Sequence, residues 1–134
     1  MGPLSLAIVG ADHPNKRGPA RRFELAICVP GEPLELRPEP KNPADENAIA
    51  VYSCRGIQIG YVTSVRASWF IRMLADGREI VAIYQGPAAF GGWARVAFDG
   101  EQPVLPTPVA AAAHAGDNTS GDDDGFWPDP IYDD

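Results

Sequence analysis

Histidine and cysteine are scarce in this chain, with two of each among 134 residues. His13 lies in a polar, loop-like stretch and His114 among alanines. No Ser-His-Asp or Cys-His arrangement can be built around either. Cys28, Cys54 and the two histidines have no metal-binding spacing. Two cysteines are also too few for the disulfide framework of a small secreted domain, so they read as free thiols in a reducing compartment. There is no Gly-x-x-x-x-Gly-Lys run to cradle a phosphate and no His-Glu-x-x-His. Asp45-Glu46-Asn47 opens like a calcium loop, but Val51 and Gly56 stand where the later positions need other residues. Long apolar runs are missing as well. The stretch from Leu4 to Val9 follows no positive charge and stops at Gly10, which suits a strand and is too short for a signal core or a membrane span. These absences lead us to expect a cytoplasmic binding protein, not an enzyme, with no cofactor and no metal.

Net charge divides the chain. The 11 Lys and Arg all lie between Lys16 and Arg95, and 11 of the 18 acids lie between Asp12 and Glu101. The other 7 acids fall between Asp117 and Asp134, so the front part is neutral and the end carries the whole net charge of −7. Pro103 to Pro108 and the alanines up to Ala115 read as a linker, and the acidic run after it has too little apolar surface to fold. The expected organisation is a folded domain over 1–102, a linker over 103–116 and a disordered acidic-aromatic tail over 117–134.

Periodicity supplies the elements of the domain. After the strand at 4–9, a short helix is expected over 19–29, with Pro19 in its first turn and Phe23 and Ile27 on one face. Pro30-Gly31 ends it, and Leu34 and Leu36 alternate with charges as on a half-buried strand. Residues 48–52 and 57–62 read as a hairpin, the second strand in strict alternation. Ser64 is placed to cap a helix running to Ala75, with an apolar stripe of Val65, Trp69, Phe70, Met73 and Leu74. Strands at 79–84 and 93–98 would flank a glycine-rich loop over 85–92. About six strands with one or two short helices make the fold class mainly β, a small curved sheet or barrel.

One segment is unusually specific: Asn42-Pro43-Ala44-Asp45-Glu46-Asn47-Ala48-Ile49-Ala50-Val51. Taken alone it is a turn, with Asp45 and Asn47 bonding loop amides ahead of a strand. It is followed at the right distance by Ile59-Gly60-Tyr61-Val62 and a helix, and preceded by a Pro-Gly and a strand. The order over residues 4–86 resembles the HIRAN domain, found in helicase-like transcription factors, related repair translocases and free-standing bacterial proteins. The resemblance implies an OB-like β-barrel that binds single-stranded DNA or DNA 3′ ends in replication or repair. It places Arg22 and Phe23 at the pair that clamps and stacks the terminal nucleotides, Asp45 at the acid that meets the terminal hydroxyl, and Asn42 beside it. Tyr61 matches a basic or aromatic position after the strand glycine. Ala44 departs from the aromatic found there in the DNA-end binder, and Phe90 or Trp93 is the counterpart of a late aromatic.

Lys16, Arg17, Arg21, Arg22 and Lys41 cluster in sequence near the motif and could form a positive face. Phe23 also fits the core side of an amphipathic helix, and the alternation places Tyr61 with Ile57 and Ile59, on a core face. A second function of a different class remains open. Phe126, Trp127, Ile131 and Tyr132 stand within acid, a composition suited to docking on a replication or repair protein, which would make the chain an interaction adaptor.

Overall fold

The computed structural model describes residues 2–106. Its elements are β1 (Leu4–Val9), α1 (Arg21–Ile27), β2 (Pro33–Pro38), β3 (Ile49–Tyr52), β4 (Gln58–Val62), α2 (Ser64–Ala75), β5 (Ile80–Ala88) and β6 (Gly91–Phe98). The strands close into a barrel in the order β1-β4-β3-β2-β5-β6, every pair antiparallel. Closure leaves no sheet edge exposed. The expected mainly-β barrel of six strands and two helices is the observed fold. The expected linker and tail at 103–116 and 117–134 lie outside the described residues, apart from 103–106.

The interior is filled by Leu6 and Ile8 of β1, Ile49 and Val51 of β3, Ile59 and Val62 of β4, and Tyr84, Ala94, Val96 and Phe98 of β5 and β6. Helix α2 adds Ala67, Phe70 and Met73, with the Phe70 ring edge-on to Phe98 at 5.8 Å. Of the stripe read from the sequence, only Phe70 and Met73 are buried. Val65 and Leu74 are exposed and Trp69 only half-buried, because the inward face of the helix is the one that carries Ala67, Phe70 and Met73. Thr63 occupies the N-cap position and Ser64 is already helical.

Helix α1 is shorter than expected and turned the other way. It begins at Arg21, so Pro19 precedes it, and it ends at Ile27. Arg21, Glu24 and Leu25 are buried, while Phe23 and Ile27 face solvent. Two ionic residues can lie inward because each is fully engaged. Glu24, only 2% exposed, holds Arg55 at 2.7 Å, and the same guanidinium reaches Glu32. That three-residue ion network fastens α1 and the start of β2 to the β3–β4 turn. It also crosses both thiols, at 3.6 Å from Cys54 and 3.7 Å from Cys28, whose burial pushes its pKa up to about 11.

The expected glycine-rich loop over 85–92 is a correction too. β5 and β6 run almost through it and turn over Ala89-Phe90 alone. Gly91 and Gly92 serve close packing, not a loop. A Cβ on Gly91, at φ 153°, would collide with the Ile8 carbonyl oxygen, and one on Gly92 would press Tyr84 and Leu25 at 3.1 and 3.2 Å. Gly60 does the same for β4, where a Cβ would run into the Val9 carbonyl oxygen.

Candidate nucleic-acid interface

A bulge decides where Tyr61 goes. Val51 pairs with Gly60 and Tyr52 with Gln58, which leaves Ile59 as the extra residue in β4. The strict alternation expected for this strand is thereby broken. Ile59 and Val62 both reach the core, and Tyr61 is half-buried on the outer side instead of joining them. Its hydroxyl donates to Glu39 Oε1 at 2.8 Å, and partial burial holds the phenol pKa above its ordinary value.

Glu39 also links Tyr61 to the motif. Its Oε1 accepts the Asn42 Nδ2 hydrogen at 2.9 Å. Asn42 Oδ1 in turn accepts the backbone N–H groups of Ala44 at 2.8 Å and Asp45 at 3.2 Å, closing the turn around Pro43. Asp45 Oδ1 accepts the Asn47 N–H at 2.9 Å. The second side-chain acceptor for the loop amides is Asn42, not the expected Asn47, while the turn-forming role read for Asp45 is real. It occupies one carboxylate oxygen of Asp45, and Oδ2 has no hydrogen bond among the described residues. Pro43 and Ala44 are exposed, and Asn47 reaches Ser68 of α2 at 3.5 Å.

On its other side the Tyr61 ring lies under Arg21, whose Cζ is 5.5 Å from the ring centre. Arg21 is only 7% exposed, donating to Asn15 Oδ1 at 2.8 Å and to the Gly10 carbonyl at 2.9 Å. It fixes the 10–20 loop and stands beneath the surface, not on it. Its neighbours emerge. Arg22 is exposed, pairs with Asp12 at 2.6 Å and donates to the Ala89 carbonyl at 3.0 Å. Phe23 is 61% exposed, which removes the core reading for its ring. The bond to Ala89 ties α1 to the β5–β6 turn, where Phe90 is 39% exposed and edge-on to Trp93 at 5.3 Å. Lys16, Arg17 and Lys41 are exposed.

The contact series Arg21–Tyr61–Glu39–Asn42 thus connects α1, with Arg22 and Phe23, to the Asp45 loop. Glu39, which holds its centre, was not picked out from the sequence. It stands in the charged Pro-Glu-Pro-Lys stretch at 38–41, and no residue pattern there points to two partners. Among the described residues no three His, Cys, Asp or Glu are grouped to hold a metal ion. No helix among them is long and apolar enough to cross a membrane.

The sequence profile of the HIRAN domain matches residues 24–98, more than half of the chain. The chain belongs to the HIRAN domain family. Three solved structures share its fold. The crystal structure of the HIRAN domain of human HLTF is 22% identical, with a TM-score of 0.58 over 72% of this chain and 74% of that one. A crystal structure of a protein from Lactobacillus plantarum is 16% identical, with a TM-score of 0.59 over 74% and 93%. An NMR structure of the HLTF HIRAN domain in its DNA-bound conformation is 22% identical, with a TM-score of 0.52 over 75% and 77%. Among curated protein sequences none matches the chain.

Proposed function

We propose that this HIRAN domain is a binding module for single-stranded DNA that recognises a 3′ end and performs no chemistry itself. The observation that carries the reading is the contact series joining α1 to the motif loop. Stretches some twenty residues apart in sequence are held on one side of the barrel by it. There, an aromatic ring with 61% of its surface in solvent stands beside an exposed arginine. Rings presented this way stack bases regardless of sequence, each contributing ~1–3 kcal/mol. Phe23 and Phe90 are the two platforms, with Arg22 between their elements.

Asp45 Oδ2 accepts the terminal hydroxyl while Oδ1 keeps the loop closed, and Asn42 orients that loop. Arg21 and Tyr61 support the surface from below. Lys16, Arg17 and Lys41 contact phosphates. The DNA-bound conformation known for the HLTF domain supports the substrate class. Ala44 offers no ring next to Asp45, so the grip is lighter than that of a site with three platforms. Fluorescence anisotropy with labelled oligonucleotides bearing free or blocked 3′ hydroxyls tests the reading. Tighter binding of the free end is expected, and equal binding of both would remove the end-recognition role.

A further inference from the structure

A second surface is left unexplained by that interface. Val65, Arg66, Trp69 and Arg72 line one shallow depression on the outer side of α2. Val65 is 52% exposed, Trp69 is half-buried, and the Arg66 guanidinium lies over the indole at 5.2 Å. Arg72 is exposed and takes part in none of the described ion pairs. An apolar floor flanked by two guanidiniums suits a ligand that carries aromatic rings and carboxylates together.

This chain contains one such ligand. Phe126-Trp127-Pro128-Asp129-Pro130-Ile131-Tyr132-Asp133-Asp134 combines three aromatics with three acids, and it belongs to the segment that holds the whole net charge of −7. The tether is suited to it. β6 ends at Phe98, whose ring packs on Phe70 of α2, so the chain leaves the barrel beside this helix. Leu105 and Pro106 are half-buried, which keeps the chain against the domain where the described residues end. From Pro106 to Phe126 the chain can span up to roughly 70 Å, far more than the ~18 Å length of a twelve-residue helix.

We propose that the aromatic-acidic segment at 126–134 docks in cis on the Val65–Arg66–Trp69–Arg72 face of α2. A single strand of DNA could also stack on Trp69, but the segment is always present at an effective concentration near millimolar, so a weak contact suffices. Because Asn47 of the motif loop touches Ser68 on the same helix, a docked segment brings its carboxylates beside the Asp45 loop. There they would oppose the phosphates of an incoming strand.

The chain has three tryptophans, so its indole N–H resonances form a small and assignable set. In the isotope-labelled full-length protein, the double change Phe126→Ser and Trp127→Ser, which keeps every charge, should displace the Trp69 indole signal at any protein concentration. Charge reversal by Arg66→Glu with Arg72→Glu should move the Trp127 indole toward the position it has in a free peptide of residues 126–134. Added to the full-length Ser variant, that peptide should restore the Trp69 signal, and with the two arginines also reversed it should bind at least about tenfold more weakly. Well-dispersed barrel amides establish that each variant is folded. An unmoved Trp69 signal in the Ser variant would overturn the proposal. So would a displacement that grows with protein concentration, which indicates a second copy, or a Trp69 signal that answers to oligonucleotide but not to the tail changes.

Discussion

Replacing Phe23 by Ala separates a binding role from a packing role, because the structure assigns very different magnitudes to the two. Burying a phenylalanine completely contributes ~1.5–3 kcal/mol. With 61% of Phe23 exposed, about two fifths of that is at stake, so Phe23→Ala should cost roughly 1 kcal/mol of stability or less. Leu25, two positions on and 6% exposed, is the internal comparison, and Leu25→Ala should cost about 2–5 kcal/mol. For binding the order reverses. A stacked base is worth ~1–3 kcal/mol, so Phe23→Ala should weaken the complex with a single strand by about 5- to 150-fold. Thermal unfolding followed by circular dichroism and anisotropy titration on the same preparations read both effects. An unfolding midpoint that falls as far for Phe23→Ala as for Leu25→Ala would refute the exposure argument. An unchanged dissociation constant would refute the platform.

Three further outcomes follow from individual contacts. Gly60→Ala should destabilise by about 2 kcal/mol or more, lowering the midpoint by roughly 8 °C or more, because its Cβ meets the Val9 carbonyl oxygen across the β1–β4 pairing; a midpoint within a degree or two of the parent would show that the strands can part without loss. Arg55 and Arg78 hold the carboxyls of Glu32 and Asp99 below their ordinary pKa values, so the folded state binds fewer protons than the unfolded one. The stability they contribute is present above about pH 5 and is lost as pH falls through the folded values, so a melting midpoint that stays flat from about pH 5 to 3 would contradict this. Asp45→Asn keeps an oxygen for the Asn47 N–H but removes the charge, so it should leave the fold intact and reduce the preference for a free 3′ hydroxyl by about 5- to 10-fold; a preference that survives in anisotropy titrations would move end recognition to another residue.

The barrel was legible because strand signals are local, whether alternation as in Leu34-Glu35-Leu36-Arg37 or a short apolar run such as Leu4 to Val9, and all six strands carry one or the other. What the sequence concealed were choices made between elements. A bulge is set by how β4 pairs with β3, and nothing within Ile57-Gln58-Ile59-Gly60-Tyr61-Val62 announces that Ile59 is the extra residue. The face of α1 was misread because Arg21 and Glu24 look like surface residues until Asn15, Gly10 and Arg55 supply their partners. The glycines at 91 and 92 resemble a loop because their reason for being small lies on β1, β5 and α1. The candidate site was legible only in part. Its residues were marked by the Asn-Pro-x-Asp motif and the Arg-Phe pair, whereas the Glu39 contacts that bring them together depend on the fold.

A domain with equal numbers of acids and bases need not lack a positive surface, since the charges differ in where they are spent. Arg37, Arg55 and Arg78 are engaged by Glu35, by Glu24 and Glu32, and by Asp99. Lys16, Arg17 and Lys41 take part in none of the described ion pairs, and all three are exposed. If the proposed function holds, these three cations should release about three counterions from a single strand and give log K a slope near −2 against log salt, at ~0.7 per phosphate. Arg22 would raise this to about −3 only if it gives up Asp12, and Asp12→Asn should therefore steepen the slope and tighten binding together. Anisotropy titrations from about 50 to 300 mM salt measure it, a range in which the Debye length falls from about 14 to 6 Å. A slope indistinguishable from zero would mean that stacking alone holds the strand. A slope steeper than about −4 would require cations from elsewhere on the barrel, and the phosphate path along Lys16, Arg17 and Lys41 would then be wrong.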